Sequence, residues 1–133
     1  MSDSDSSTFS LERFGVALIA VGAGAAAGMA AVPVVGTHLG LLLGGFIAGL
    51  AFEGRPVLES GVAAVVAGWG VLLASKIIGD GVIDAIVGLI SMDPKLLFVS
   101  TALSFGAGAL GAHFGDDLRD GLTEPVEESG SGP

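Results

Sequence analysis

Residues 14 to 35 carry no ionisable side chain, an apolar run of 22 residues in a chain of 133. At a rise of about 1.5 Å per residue, such a run coiled as a helix crosses the roughly 30 Å hydrocarbon layer of a bilayer. Three further apolar stretches follow: 36 to 52, with Thr37 and His38 at its start; 57 to 78, with Trp69 near its middle; and 95 to 114. Half of the chain is apolar (51%) and only 14% is charged, with the charges crowded into the tails and turns. A soluble domain of this size needs more polar surface than that, so the apolar excess must face lipid or partners.

The punctuation between the runs supports helices. Ser10 can N-cap the first one while Phe9 packs on Phe14 as a hydrophobic staple, and Pro33 marks its exit. The acidic start and the length of the run argue for a retained segment rather than a cleaved signal peptide. Glu53-Gly54-Arg55-Pro56 is a tight polar turn; Pro56 suits the first turn of the next helix, and Glu59 complements its positive end. Lys76 can snorkel out at the far end. Asp93-Pro94 reads as an N-cap followed by proline at the first helical position. The segment 79–92 is apolar but too short to cross unaided and holds Asp80 and Asp84, so it reads as interfacial or re-entrant.

These signals give an all-α fold, a transmembrane helical bundle of four spans (14–35, 36–52, 57–78 and 95–114), with five as the alternative if 81–92 also crosses. Residues 11–115 form the membrane domain, flanked by disordered acidic tails at 1–10 and 116–133. Four spans place both termini on one side. Arg13, Arg55 and Arg119 then lie on the terminal side, against Lys76 and Lys95 on the other, so the positive-inside rule points to cytoplasmic termini in a cell membrane.

Net charge is −9, from 14 acidic and 5 basic residues. An exterior this acidic argues against nucleic acid, whose affinity comes from Lys and Arg neutralising phosphates, and against docking on anionic headgroups. It fits a high-salt cytoplasm, where screening makes crowded carboxylates tolerable. With no cysteine, the chain offers no disulfide, thiolate nucleophile or thiolate metal ligand.

Small residues recur at four-residue spacing: Gly24 and Gly28; Gly36, Gly40 and Gly44; Gly45 and Gly49; Ser60, Ala64 and Gly68; Gly111 and Gly115. In lipid, apolar burial gives helices little reason to associate, and close packing along such faces holds a bundle together. The faces serve either packing within one subunit or self-association. Gly106-Ala-Gly108-Ala-Leu-Gly111 is a literal GxGxxG, but inside an apolar helix with no preceding strand it is a decoy. HExxH, GxSxG and P-loop patterns are absent from the sequence, so neither an enzyme nor a cofactor is expected.

Ionisable residues near membrane depth are the remaining candidates, because placing a charge there is costly unless it is paired or wetted. Lys76, Asp80 and Asp84 follow at i, i+4 and i+8, on one face if the helix continues, with Asp84 left to meet an ion. The competing reading puts all three in the wet interface, since Gly79 and Gly81 favour a turn. His113 precedes Asp116 and Asp117 at i+3 and i+4, which could orient the imidazole or hold a cation, although compensation of the helix C-terminal dipole explains it equally. Under four spans His38 lies at the opposite interface from His113, so no metal site is expected.

At Leu43-Gly44-Gly45-Phe46-Ile47-Ala48-Gly49, followed by Glu53-Gly54-Arg55 and the small-residue helix from Gly61, the chain resembles a family of small, glycine-rich polytopic membrane proteins from haloarchaea whose function is not assigned. The stretch 106–119 (GAGALGAHFGDDLR) is similar to that family's last helix and charged tail. The resemblance spans residues 14 to 119 and departs at Ala51-Phe52. It implies a fold and carries over no functional residue. The sequence thus points to a non-catalytic structural or accessory membrane component whose partners are the lipid bilayer and either further copies or other membrane proteins. The alternative is a small ion or solute channel or transporter using the Lys76, Asp80 and Asp84 region.

Overall fold

A computed structural model of the chain describes residues 9–33, 35–54 and 56–124. Among them are five helices and no strand: α1 Leu11–Ala31, α2 Val35–Ala51, α3 Val57–Asp80, α4 Val82–Ile90 and α5 Pro94–Thr123. Helices α1, α3 and α5 are long and apolar enough to cross a membrane; α2 is a shorter apolar helix of 17 residues.

Backbone contacts fix the arrangement. Gly24 lies against Gly40 and Gly28 against Gly36, so α1 and α2 run antiparallel. Gly45 meets Gly108 and Gly49 meets Ala112, which sets α2 and α5 parallel. Gly61 meets Phe105 while Gly68 meets Ser104, and Trp69 bonds Thr101, making α3 and α5 antiparallel. Gly44 abuts Ala20 and Val21 of α1, and Gly111 and Gly115 abut the α2 backbone at Leu42 and Phe46. All these glycine contacts are within one chain. Helix backbones can approach this closely only where side chains stop at hydrogen or methyl.

The interior is correspondingly small. Apart from Pro56 at the entry to α3, Val21 and Leu41 are the only residues larger than alanine among the buried apolar side chains described. One cluster groups Val21, Ala25, Leu41, Ala64 and Ala67, and a second Ala17, Ala48 and Ala63. The bulky side chains point outward instead: Ile19 is 75% exposed, Leu43 58% and Leu103 57%.

The start of α1, the α2–α3 turn and the last turns of α5 share one end of the bundle. There the Ser10 backbone N–H donates to Glu59 Oε1 at 2.9 Å, and an Arg13 Nη donates to the Gly54 carbonyl at 3.0 Å. Ser10 occupies the N-cap position of α1, but its side chain makes no capping bond. Phe9 does stack on Phe14, with ring centroids 5.6 Å apart. Asp93 caps α5 as its sequence suggests, its carboxylate accepting from the Lys95 N–H at 2.8 Å with Pro94 first in the helix.

Two boundaries differ from the sequence reading. Residues 116–123, read as part of a disordered tail, continue α5: Asp116 is buried at 2% exposure and pairs with Arg119 one turn on, which holds the turn in register. Asp80, assigned to the short segment 79–92, ends α3, and the chain breaks at Gly81 with φ 92 before α4 begins. The remaining tail residues, 1–8 and 125–133, and Arg55, counted in the topology argument, lie outside the described residues.

Candidate functional site

A partly enclosed cavity of about 410 Å³ lies among α1, α2, α3 and α5, at the end opposite the start of α1 and the last turns of α5. Met29 comes from α1, and Thr37 and His38 from α2. Helix α3 supplies Gly68, Trp69, Val71, Leu72, Ser75 and Lys76, and α5 supplies Ser100 and Ser104. At one end of it Gly68 packs against Ser104, whose Oγ would lie 3.1 Å from a Cβ placed at Gly68. Its length follows α3: from Gly68 to Lys76 is eight residues, about 12 Å along the axis.

Most polar groups in helices are satisfied locally, and two here are. Ser75 Oγ donates to the Leu72 carbonyl at 2.8 Å, and Thr101, beside the cavity, donates to the Leu97 carbonyl at 2.8 Å while accepting from Trp69 Nε1 at 3.1 Å. The hydroxyls of Thr37, Ser100 and Ser104 make no hydrogen bond with the described residues, and Lys76 forms no ion pair among them. Uncommitted hydroxyls and an ammonium therefore share a cavity whose other walls are Met29, Trp69, Val71 and Leu72. The Lys76 Nζ lies beside Gly88 of α4, at the end of the cavity remote from Ser104.

The residues singled out in the sequence are distributed differently from the one-face expectation. Lys76 is half-buried and lines the cavity, whereas Asp80 and Asp84 are exposed and do not line it. The positive φ at Gly81 ends the helix between them, so Asp84 does not extend the face of Lys76 and Asp80. His38 lines the cavity and also an apolar groove between α2 and α5 bounded by Leu39, Leu103 and Leu110. His113 Nε2 is 3.4 Å from Asp117, far from His38 along the bundle, and no group of three metal-ligating side chains occurs among the described residues. Gly106 to Gly111 lies inside α5, as its apolar setting suggests.

Thr37, Ser100 and Ser104 were not legible as candidates, since isolated hydroxyl residues are ordinary in apolar helices. The one available signal is the i, i+4 spacing of Ser100 and Ser104, which places both on one face of α5.

The family described as domain of unknown function (DUF8526) matches residues 11–124. The chain belongs to the DUF8526 family. No curated protein and no solved structure matches it. The DUF8526 match begins with the first residue of α1 and ends just beyond α5, so all five helices and the whole cavity belong to the family's domain.

Proposed function

We propose that this chain is a multi-pass integral membrane protein, a non-catalytic structural or accessory component, in which α1, α2, α3 and α5 cross the bilayer and α4 lies at its surface. The observation that carries this reading is the inverted distribution of size: alanine and glycine inside, leucine, isoleucine and phenylalanine outside. Water would make that exterior aggregate; lipid makes it the favourable one, and leaves backbone packing to hold the helices. At nine residues α4 reaches about 14 Å, less than half the hydrocarbon thickness, which supports four spans over five. At 17 residues α2 is at the short limit of a span.

Both termini on the cytoplasmic face of the cell membrane, and an acidic exterior suited to high salt, complete the proposal. The lipid bilayer is the first partner, and another copy or another membrane protein the second. Because the α1–α2 and α2–α5 glycine contacts are made within the chain, any such association uses the outward apolar surface. The alternative, a channel or transporter built on Lys76, Asp80 and Asp84, draws little support from a helix that breaks before Asp84.

The chain has no cysteine, so single cysteines report sidedness unambiguously. In sealed cells an impermeant maleimide is expected to label Asp93→Cys, while Glu53→Cys and Glu124→Cys react only after permeabilisation. Labelling of Asp93→Cys and Glu53→Cys from the same side would overturn the four-span arrangement, and release of the protein by alkaline carbonate would overturn integral insertion.

A further inference from the structure

We propose that the cavity among α1, α2, α3 and α5 is a binding site for an elongated organic monoanion, a short amphiphilic carboxylate whose charged end meets Lys76 and whose chain lies along α3 past Trp69. The volume, about 410 Å³, falls within the roughly 300 to 1,000 Å³ typical of small-molecule sites. An ammonium held half-buried beside lipid without a counter-ion is costly, and Asp80, the carboxylate one turn away, faces outward. A ligand carboxylate supplies the missing charge and accepts charge-assisted hydrogen bonds. Thr37, Ser100 and Ser104 provide further donors along the path, and Met29, Val71 and Leu72 provide the apolar wall. Nothing acidic lines the cavity, so an anion meets no like charge there, whereas a cation would face the Lys76 ammonium. The inference goes beyond the membrane role, and its test can fail while insertion stands.

The chain's single tryptophan lines this cavity and reports on it directly. From Lys76 to Trp69 is seven residues, about 10 Å, close to the length of an extended eight-carbon chain. The experiment titrates 8-bromooctanoate into the full chain in neutral phosphatidylcholine nanodiscs and follows heavy-atom quenching of Trp69. Saturable quenching is expected, with the neutral 8-bromooctanol weaker by about tenfold or more. Lys76→Met is expected to lose that preference for the carboxylate and Lys76→Arg to keep it. Ser104→Leu, which fills the far end, is expected to abolish saturable quenching by both. Equal quenching by the acid and the alcohol in the native chain, a carboxylate preference that survives in Lys76→Met, or a linear response reflecting bilayer partition alone would each overturn the proposal.

Discussion

Trp69 Nε1 donates to Thr101 Oγ1 at 3.1 Å, a side-chain bond that crosses from α3 to α5. Thr101 can accept it because its own proton is committed to the Leu97 carbonyl one turn back. Thr101→Val keeps the shape and removes the acceptor. The expected cost is about 0.5 to 1.5 kcal/mol, with the emission maximum of the lone tryptophan shifted, as read by equilibrium unfolding in detergent and by fluorescence.

Gly106 and Gly111 lie five residues apart on α5 and should respond with opposite sign to one substitution. A Cβ at Gly106 would meet open space, so Gly106→Ala is expected to stabilise by about 0.5 to 1 kcal/mol through helix propensity. A Cβ at Gly111 would fall 2.8 Å from the Phe46 backbone nitrogen and closer still to the Leu42 carbonyl. Gly111→Ala is therefore expected to destabilise by about 1 to 3 kcal/mol, the range for overpacking. Parallel thermal unfolding of the two variants checks this.

Gly81 turns the chain from α3 into α4 at φ 92 and ψ 166, a region that only glycine enters freely. Gly81→Ala is expected to cost about 1 to 3 kcal/mol at the corner, read as faster amide exchange over α4. Gly79→Ala, in regular helix with open space around it, should leave exchange unchanged.

Arg119 and His113 test two of the ion pairs within α5. Arg119 lies 3.5 Å from the buried Asp116, and Arg119→Met removes that charge-assisted contact at an expected cost of about 1.5 to 3 kcal/mol. His113 and Asp117 are about half exposed, and His113→Gln should change stability by less than about 0.5 kcal/mol. Amide exchange across 116–123 distinguishes the two, because the Arg119 variant should fray that turn first.

The long helices were legible because uncharged runs of this length have few alternatives, and the Asp93-Pro94 start of α5 because capping chemistry is local. The continuation of α5 was not: GDDLRD has the composition of a solvated tail, and nothing in it announces that Asp116 is buried and lies within reach of Arg119. Nor could spacing say which glycines touch. Gly22, Gly70 and Gly106 sit in the same sort of sequence as Gly28 or Gly111, yet face open space. The cavity was hidden for a related reason. Its hydroxyls come from three different helices, Thr37 of α2, Ser75 of α3 and Ser100 with Ser104 of α5, and only the packed bundle brings them together.

A bundle whose contacts are made by hydrogens and methyls reverses the usual pattern of tolerated change. In a water-soluble domain the exterior drifts and the interior conserves bulk; here the interior must conserve the lack of it. Leu39, Leu43 and Ile47 point outward and can exchange among apolar side chains at little cost, while a single added carbon at Gly28, Gly40 or Gly111 meets backbone that cannot move aside. Divergent copies of this fold should therefore differ freely along their greasy surface and agree on positions that look, residue by residue, the least informative.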